Sequence, residues 1–201
     1  MKKIKEILIG TNNEGKIKEI SYLLNKKIKK LSPIKLNITS PNETGKSFKS
    51  NSELKAKYFF QKTKFFTISD DSGLCIECLN NKPGIHSARW AKKYGSLNQA
   101  MNKIIKLVKD KNKNKKIKNS KAKFVCSLTV YFSPKRKITT IGEIHGNISG
   151  QILGKNGFGY DPIFIPKGYN LTFGQMNKRK KMLMDHRYIA LKKLKKKINI
   201  L

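Results

Sequence analysis

Apolar and polar positions along the chain repeat with two different periods. Residues 4–10 form a short apolar run that predicts a buried strand. The polar loop Thr11-Asn12-Asn13-Glu14-Gly15-Lys16 follows, and Ile17, Ile20, Leu23 and Leu24 then recur at helical spacing. Residues 34–39 predict a second strand. Ser47 is a good N-cap for a second helix, which turns Leu54, Tyr58 and Phe59 inward. Residues 65–69 predict a strand leading into Asp70-Asp71-Ser72-Gly73, with 74–79 as its hairpin partner, and Pro83-Gly84 marks a turn. A helix over 96–109 carries Leu97, Met101, Ile104, Ile105 and Val108. Strands return at 123–132 and 137–148, and a glycine-rich loop occupies 150–160. A last helix over 178–198 places Met184, Tyr188, Leu191, Leu194 and Ile198 on one side. The segment 110–121 is almost all Lys and Asn, lacks apolar periodicity, and is expected to be an exposed, mobile linker. No internal repeat is visible, and the mixture of strands and helices predicts an α/β or α+β fold.

Composition narrows this picture. A chain of 201 residues suits one domain or two intimately joined lobes. At this size folding buries roughly 70% of the unfolded surface, so neither disulfides nor a structural metal is required. No stretch approaches the ~20 apolar residues of a membrane span, and the expectation is a soluble, cytoplasmic protein with no membrane partner. The 45 Lys and Arg outnumber the 12 Asp and Glu. A basic surface gains affinity for nucleic acid by displacing counterions from phosphates. Yet only Arg89, Arg136, Arg179 and Arg187 are arginines, whereas bidentate base and phosphate recognition favours Arg over Lys. Lys, Asn and Ile together point to AT-rich coding, so no specific nucleic-acid partner is expected, only nonspecific attraction to polyanions. Cys75 and Cys78 match a C-x-x-C spacing but lack the further ligands of a zinc site; with Cys126 they read as ordinary reduced thiols.

Five polar clusters fall at element ends, where active sites usually lie. Thr11 to Lys16 opens a helix, where free N–H groups attract phosphate and Thr11, Asn13 and Lys16 add donors; a plain capped βα turn has the same look. Asp70 and Asp71 repel each other unless a cation stands between them. Magnesium takes oxygen ligands, often one or two carboxylates plus phosphate oxygens, while a turn with solvated aspartates is the alternative. Glu43, in Asn42-Glu43-Thr44-Gly45, either completes that metal site or is a surface acid. Gly157-Phe158-Gly159-Tyr160-Asp161-Pro162 offers close backbone approach and two rings for stacking on a base, or a turn whose rings pack inward. Lys181 with His186-Arg187 is either a ligand-facing basic cluster or a solvated face.

Taken together in this order and spacing, these clusters carry a resemblance. With Pro83-Gly84-Ile85-x-Ser87-Ala88-Arg89, they make the chain, from about residue 5 to about 195, similar to the inosine triphosphate pyrophosphatase family, which removes noncanonical purine nucleoside triphosphates. The resemblance implies an α/β fold of two lobes around a long mixed β-sheet, with the active site in the cleft between them, and a homodimer. It implies a small-molecule nucleoside triphosphate substrate (ITP, dITP or XTP) and Mg2+ as cofactor. By motif position, Thr11, Asn13 and Lys16 would hold the triphosphate, Glu43 and Asp71 the magnesium, and Asp70 would be the base. Ser72 would touch substrate, and Phe158, Gly159, Tyr160, Asp161, Lys181, His186 and Arg187 would form the nucleoside pocket.

Three stretches depart from the family pattern. The usual T-F-x-E-N-A is Ser47-Phe48-Lys49-Ser50-Asn51-Ser52, so the acid of a capping box is lost and the helix is expected to be weakened. The usual Ala-Glu-Leu is Gly174-Gln175-Met176. The usual Ser before His-Arg is Asp185, which adds a negative charge beside Arg187. Two other functions compete: a house-cleaning pyrophosphatase for another modified nucleotide, and a basic nucleic-acid-binding module, which leaves the paired aspartates unexplained.

Overall fold

The computed structural model describes residues 4–113, 115 and 119–198. Its strands are β1 (Glu6–Ile9), β2 (Lys29–Leu31), β3 (Thr67–Ile76), β4 (Lys82–Pro83), β5 (Lys121–Ser133), β6 (Arg136–Ile148) and β7 (Phe164–Pro166). Its helices are α1 (Glu14–Leu23), α2 (Phe48–Thr63), α3 (Ser87–Lys93), α4 (Leu97–Asn112), α5 (Lys178–Met182) and α6 (His186–Lys197). The strands form one sheet in the order β2-β1-β3-β5-β6-β7, with β4 paired to β3. β1 is parallel to β2 and β3, whereas β3–β4 and β6–β7 are antiparallel. The fold is therefore α/β with a mixed sheet, as expected.

The chain separates into two compact units, residues 1–71, 126–142 and 186–201, and residues 72–125 and 143–185. In the first unit β1 is fully buried at Ile7, Leu8 and Ile9 and registers Ile7 with Lys30 and Leu8 with Thr67. Ile20 and Leu23 of α1, and Leu191 and Leu194 of α6, pack with Ile68, Leu128 and Val130. In the second unit Leu74 and Ile76 join Met101, Ile104 and Val108 of α4 and the ring cluster Phe124, Phe164 and Phe173.

Several expectations are corrected. Residues 34–39 are not a strand. Pro33 at φ −60° and Asn37 at φ +53° bracket a single 3-10 turn at Ile34–Leu36, and the second strand is the earlier β2. Residues 65–79 are not a hairpin about the aspartates. β3 runs unbroken through Asp70-Asp71-Ser72-Gly73, and its antiparallel partner is β4, with Cys75 opposite Pro83. Ser50 does not weaken the start of α2, because its hydroxyl accepts from the Ser47 N–H while Ser47 accepts from the Ser50 N–H, a reciprocal box without an acid. Ser52, in place of the family's Ala, is buried but bonded to Ser127 Oγ and Thr129 Oγ1, both at 2.9 Å. The expected last helix is two, parted at 183–185, because apolar periodicity runs on across the break. The Lys/Asn stretch begins inside α4 and ends in β5. Buried Asn112 holds both ends, donating to Val108 and Asn119 carbonyls and accepting from the Asn119 N–H. Residues 114 and 116–118 of that stretch lie outside the described residues. Cys75, Cys78 and Cys126 are free, and burial pushes the Cys75 thiol up to about 11, which makes it a poor nucleophile.

Candidate active site

The first unit gathers two ion-paired groups on either side of β3. Successive strand residues face opposite ways, so Asp70 and Asp71 serve different neighbours. Asp70 is fully buried. Its Oδ2 meets Lys16 Nζ at 3.2 Å and accepts from Arg187 Nε at 3.2 Å, and Arg187 Nη1 also donates to Glu19 Oε2 at 2.8 Å. Burial opposes ionisation of Asp70, but Lys16, Arg187 and Lys55 outweigh it and hold the carboxyl well below the usual carboxylate range. Lys16 reaches this point because Asn13 caps α1, accepting from the Lys16 N–H at 3.0 Å, and Thr11 Oγ1 in turn accepts from the Asn13 N–H at 3.2 Å.

Asp71 faces α2. It accepts from Asn51 Nδ2 at 3.0 Å, and its Oδ1 lies 3.7 Å from Lys55 Nζ, which also binds Glu43 Oε1. Asn51 Oδ1 accepts from the Gly45 N–H at 2.8 Å, which ties the Glu43-Thr44-Gly45 loop to the helix, and a side chain at Gly45 would collide with Ser50 and Asn51. Burial raises the Asp71 carboxyl above its ordinary value despite Lys55 and Lys16, with Glu43 adding to the rise. The Lys55 pKa rises too: burial penalises its charged form, yet Asp71, Asp70 and Glu43 together outweigh that penalty. Among the described residues no group of three or more His, Cys, Asp or Glu is disposed to hold a metal. Glu43 and Asp71 nevertheless already share one cation through Lys55, and two carboxylates suit magnesium, whose other ligands are water and phosphate oxygens.

The second unit builds a separate cage. Gly157 and Gly159 take φ of +76° and +63°, and a side chain at Gly157 would strike Asp161. Asp161 Oδ2 accepts from the Phe158 N–H at 2.9 Å and lies 3.3 Å from Lys181 Nζ, which is 3.2 Å from Asp185 Oδ2. The same ammonium sits 5.2 Å from the Phe158 ring centre and 5.7 Å from that of Phe173. Tyr160 is buried, and its hydroxyl donates to the Ser87 carbonyl at 2.8 Å. Burial pushes that phenol up to about 12, with Tyr94 adding to the rise, which leaves it a fixed neutral donor. Ser87 Oγ accepts from the Leu74 N–H and donates to the Gly84 carbonyl, so the Pro83-to-Arg89 motif braces β3, while Arg89 itself is exposed.

Of the residues expected for the site, Lys16, Asp70 and Arg187 come together, as do Glu43 and Asp71, and as do Phe158, Asp161 and Lys181. His186 is buried at the start of α6, and Ser72 is half-buried just beyond Asp71 on β3. Lys55, Asn51 and Glu19 were not foreseen. Asn51, Lys55 and Phe59 fall on one helical stripe, so polar residues on an inward face were the available signal. A concavity of about 980 Å³ among Ile105, Val108, Asn112 and Ile148 is lined by none of these residues.

A buried carboxylate between two cations, beside two carboxylates on a shared cation, is an arrangement that suits metal-assisted chemistry on phosphate esters or anhydrides. Comparison with known proteins gives the family. The profile of the Ham1 family matches residues 7–197, and the chain belongs to that family. A dITP/XTP pyrophosphatase of Dictyoglomus thermophilum is 38% identical over 194 residues, covering 94% of this chain and 92% of the relative. One of Clostridium tetani is 36% identical over 201 residues, covering 97% and 96%. The HAM1 protein of Coxiella burnetii superposes with a TM-score of 0.85 at 28% identity, covering 98% of this chain and 99% of that one. The Ham1 protein of Staphylococcus aureus gives 0.81 at 31% identity, covering 97% and 98%.

Proposed function

We propose that this chain hydrolyses noncanonical purine nucleoside triphosphates, ITP, dITP and XTP, to the monophosphate and pyrophosphate, as a magnesium-dependent cytoplasmic homodimer. The observation that carries the reading is Asp70, buried and ionised between Lys16 and Arg187, next to Glu43 and Asp71 on a shared cation. The relatives' names supply the substrate class.

Water attacks the α-phosphorus, the bond to the bridging oxygen breaks, pyrophosphate leaves with that oxygen, and the water's proton passes to Asp70. In the free protein Asp70 is too weak a base for this, since its pKa is depressed by Lys16 and Arg187. Lys16 opens α1, at a helix end that favours anions. When its ammonium turns to the triphosphate, Asp70 loses one of its two close cations and its basicity rises as the substrate arrives. Thr11 and Asn13 shape the loop that presents Lys16. Glu43 and Asp71 would hold the magnesium, which, when bound, acidifies coordinated water and neutralises charge on the leaving pyrophosphate. Phe158, Gly159, Tyr160, Asp161, Lys181 and His186 are assigned to the nucleoside.

The test is pyrophosphate release from ITP, dTTP and ATP with magnesium. Release from ITP far above the other two is expected. A preference for dTTP would move the assignment to another modified nucleotide, and no release from any of the three would overturn it.

A further inference from the structure

The Asp185 carboxylate is almost fully buried, 3.2 Å from Lys181. Lys181 is thereby held between two carboxylates, Asp161 at 3.3 Å and Asp185. Its ammonium lies against the half-buried Phe158 ring, whose backbone N–H donates to that same Asp161. A serine at 185 would leave this cluster one carboxylate poorer and Lys181 less engaged. Charged groups near Asp185 include Lys181 of α5, which Asp161 shares, with His186 next in the chain.

We infer that Asp185 makes this enzyme discriminate against xanthine nucleotides in favour of hypoxanthine nucleotides. The inference rests on the proposed function, which assigns the Phe158 loop and Lys181 to the nucleoside. Xanthine carries a second carbonyl that acidifies its ring N–H, so xanthine nucleotides lose a ring proton close to neutrality while hypoxanthine stays neutral. An anionic base beside this cluster meets an added negative charge and a cation already occupied by two carboxylates. A neutral base is indifferent to both. A unit charge about 10 Å away, at an effective dielectric constant of about 20, changes binding roughly 15-fold. Lys181 screens part of this, so an effect of about threefold or more is expected.

The experiment measures kcat/KM for ITP and XTP, with magnesium, at about pH 5.5 and about pH 8.5, either side of the xanthine titration. In the unaltered protein the XTP-to-ITP ratio should fall at least about threefold from the lower to the higher pH, and effects on the enzyme alone cancel in that ratio. Asp185→Asn and Asp185→Ser should both raise the ratio at about pH 8.5 by about threefold or more and leave it within about twofold at pH 5.5. A ratio indifferent to pH in the unaltered protein would overturn the inference even if neither variant folds. Equal changes at both pH values would overturn it too, since they would mean a reshaped pocket rather than charge. If neither substrate releases pyrophosphate, the proposed function fails and this inference goes with it.

Discussion

Lys55 is a buried ammonium with no chemistry of its own in the proposed reaction, and replacing it with methionine tests the cation site without measuring turnover. Lys55→Met keeps the packed stem and removes the charge that Glu43 and Asp71 share. Removing one partner of a buried ion pair costs about 3–5 kcal/mol, because the remaining charge is left buried without compensation. Asp71 is already pushed up by burial, which favours the upper end; Glu43 is partly exposed and favours the lower. At about 2–4 °C per kcal/mol for a chain of this size, Tm should fall by roughly 6–20 °C in EDTA. Magnesium supplies the missing charge between the same two carboxylates. At a hundredfold excess over its dissociation constant it should return about 2.7 kcal/mol, or roughly 5–11 °C. The assay is thermal unfolding of both proteins in EDTA and in magnesium. The unaltered protein, whose carboxylates already have Lys55, should gain less from magnesium than the variant. Equal magnesium shifts in the two proteins would refute the assignment of Glu43 and Asp71 as the cation pair.

Asp70→Asn should lower ITP turnover by at least about 100-fold, the lower range for general-base catalysis, with unchanged circular dichroism; near-normal turnover by the folded variant would remove Asp70 as the base. Asn112→Ala should cost about 1–3 kcal/mol, because it leaves buried backbone groups without partners. By contrast, Gln at Lys111, Lys113 and Lys115 together should change stability by no more than about 0.5 kcal/mol per site, and ITP turnover should be unaffected by that triple substitution. Denaturant titration and pyrophosphate release check both, and a large loss of turnover in the folded triple variant would bring the segment into substrate binding.

The elements whose apolar stripes pack inward were legible in the sequence: β1, α1, α4 and the strands β5 and β6 follow their periodicity closely. What was not legible had physical reasons. The aspartates of β3 read as a turn because charged residues are rare in a central strand; they lie within it because Lys16, Arg187, Lys55 and Asn51 compensate them from both faces, and those partners are remote in sequence. Arg187 was expected beside a base; in the fold it also reaches Asp70 and Glu19, contacts that a linear motif cannot reveal. The order of the motifs nonetheless identified the family, because the motifs fix residue types at the site whatever their partners are.

The distribution of acids carries the argument one step further. Against 45 Lys and Arg the chain keeps only 12 Asp and Glu, and half of these, Glu19, Glu43, Asp70, Asp71, Asp161 and Asp185, belong to the ion-paired groups described above. The sign of the charge therefore reverses between surface and site. The surface is strongly cationic and attracts polyphosphate from a distance. The first unit's cluster sets four carboxylates, Glu19, Glu43, Asp70 and Asp71, against Lys16, Lys55 and Arg187. A triphosphate drawn in by the surface would meet a cluster that its own charge makes unfavourable, unless a divalent cation arrives with it. On this reasoning the metal is needed first to admit the substrate and only then for chemistry, so magnesium should lower KM for ITP more steeply than it raises kcat.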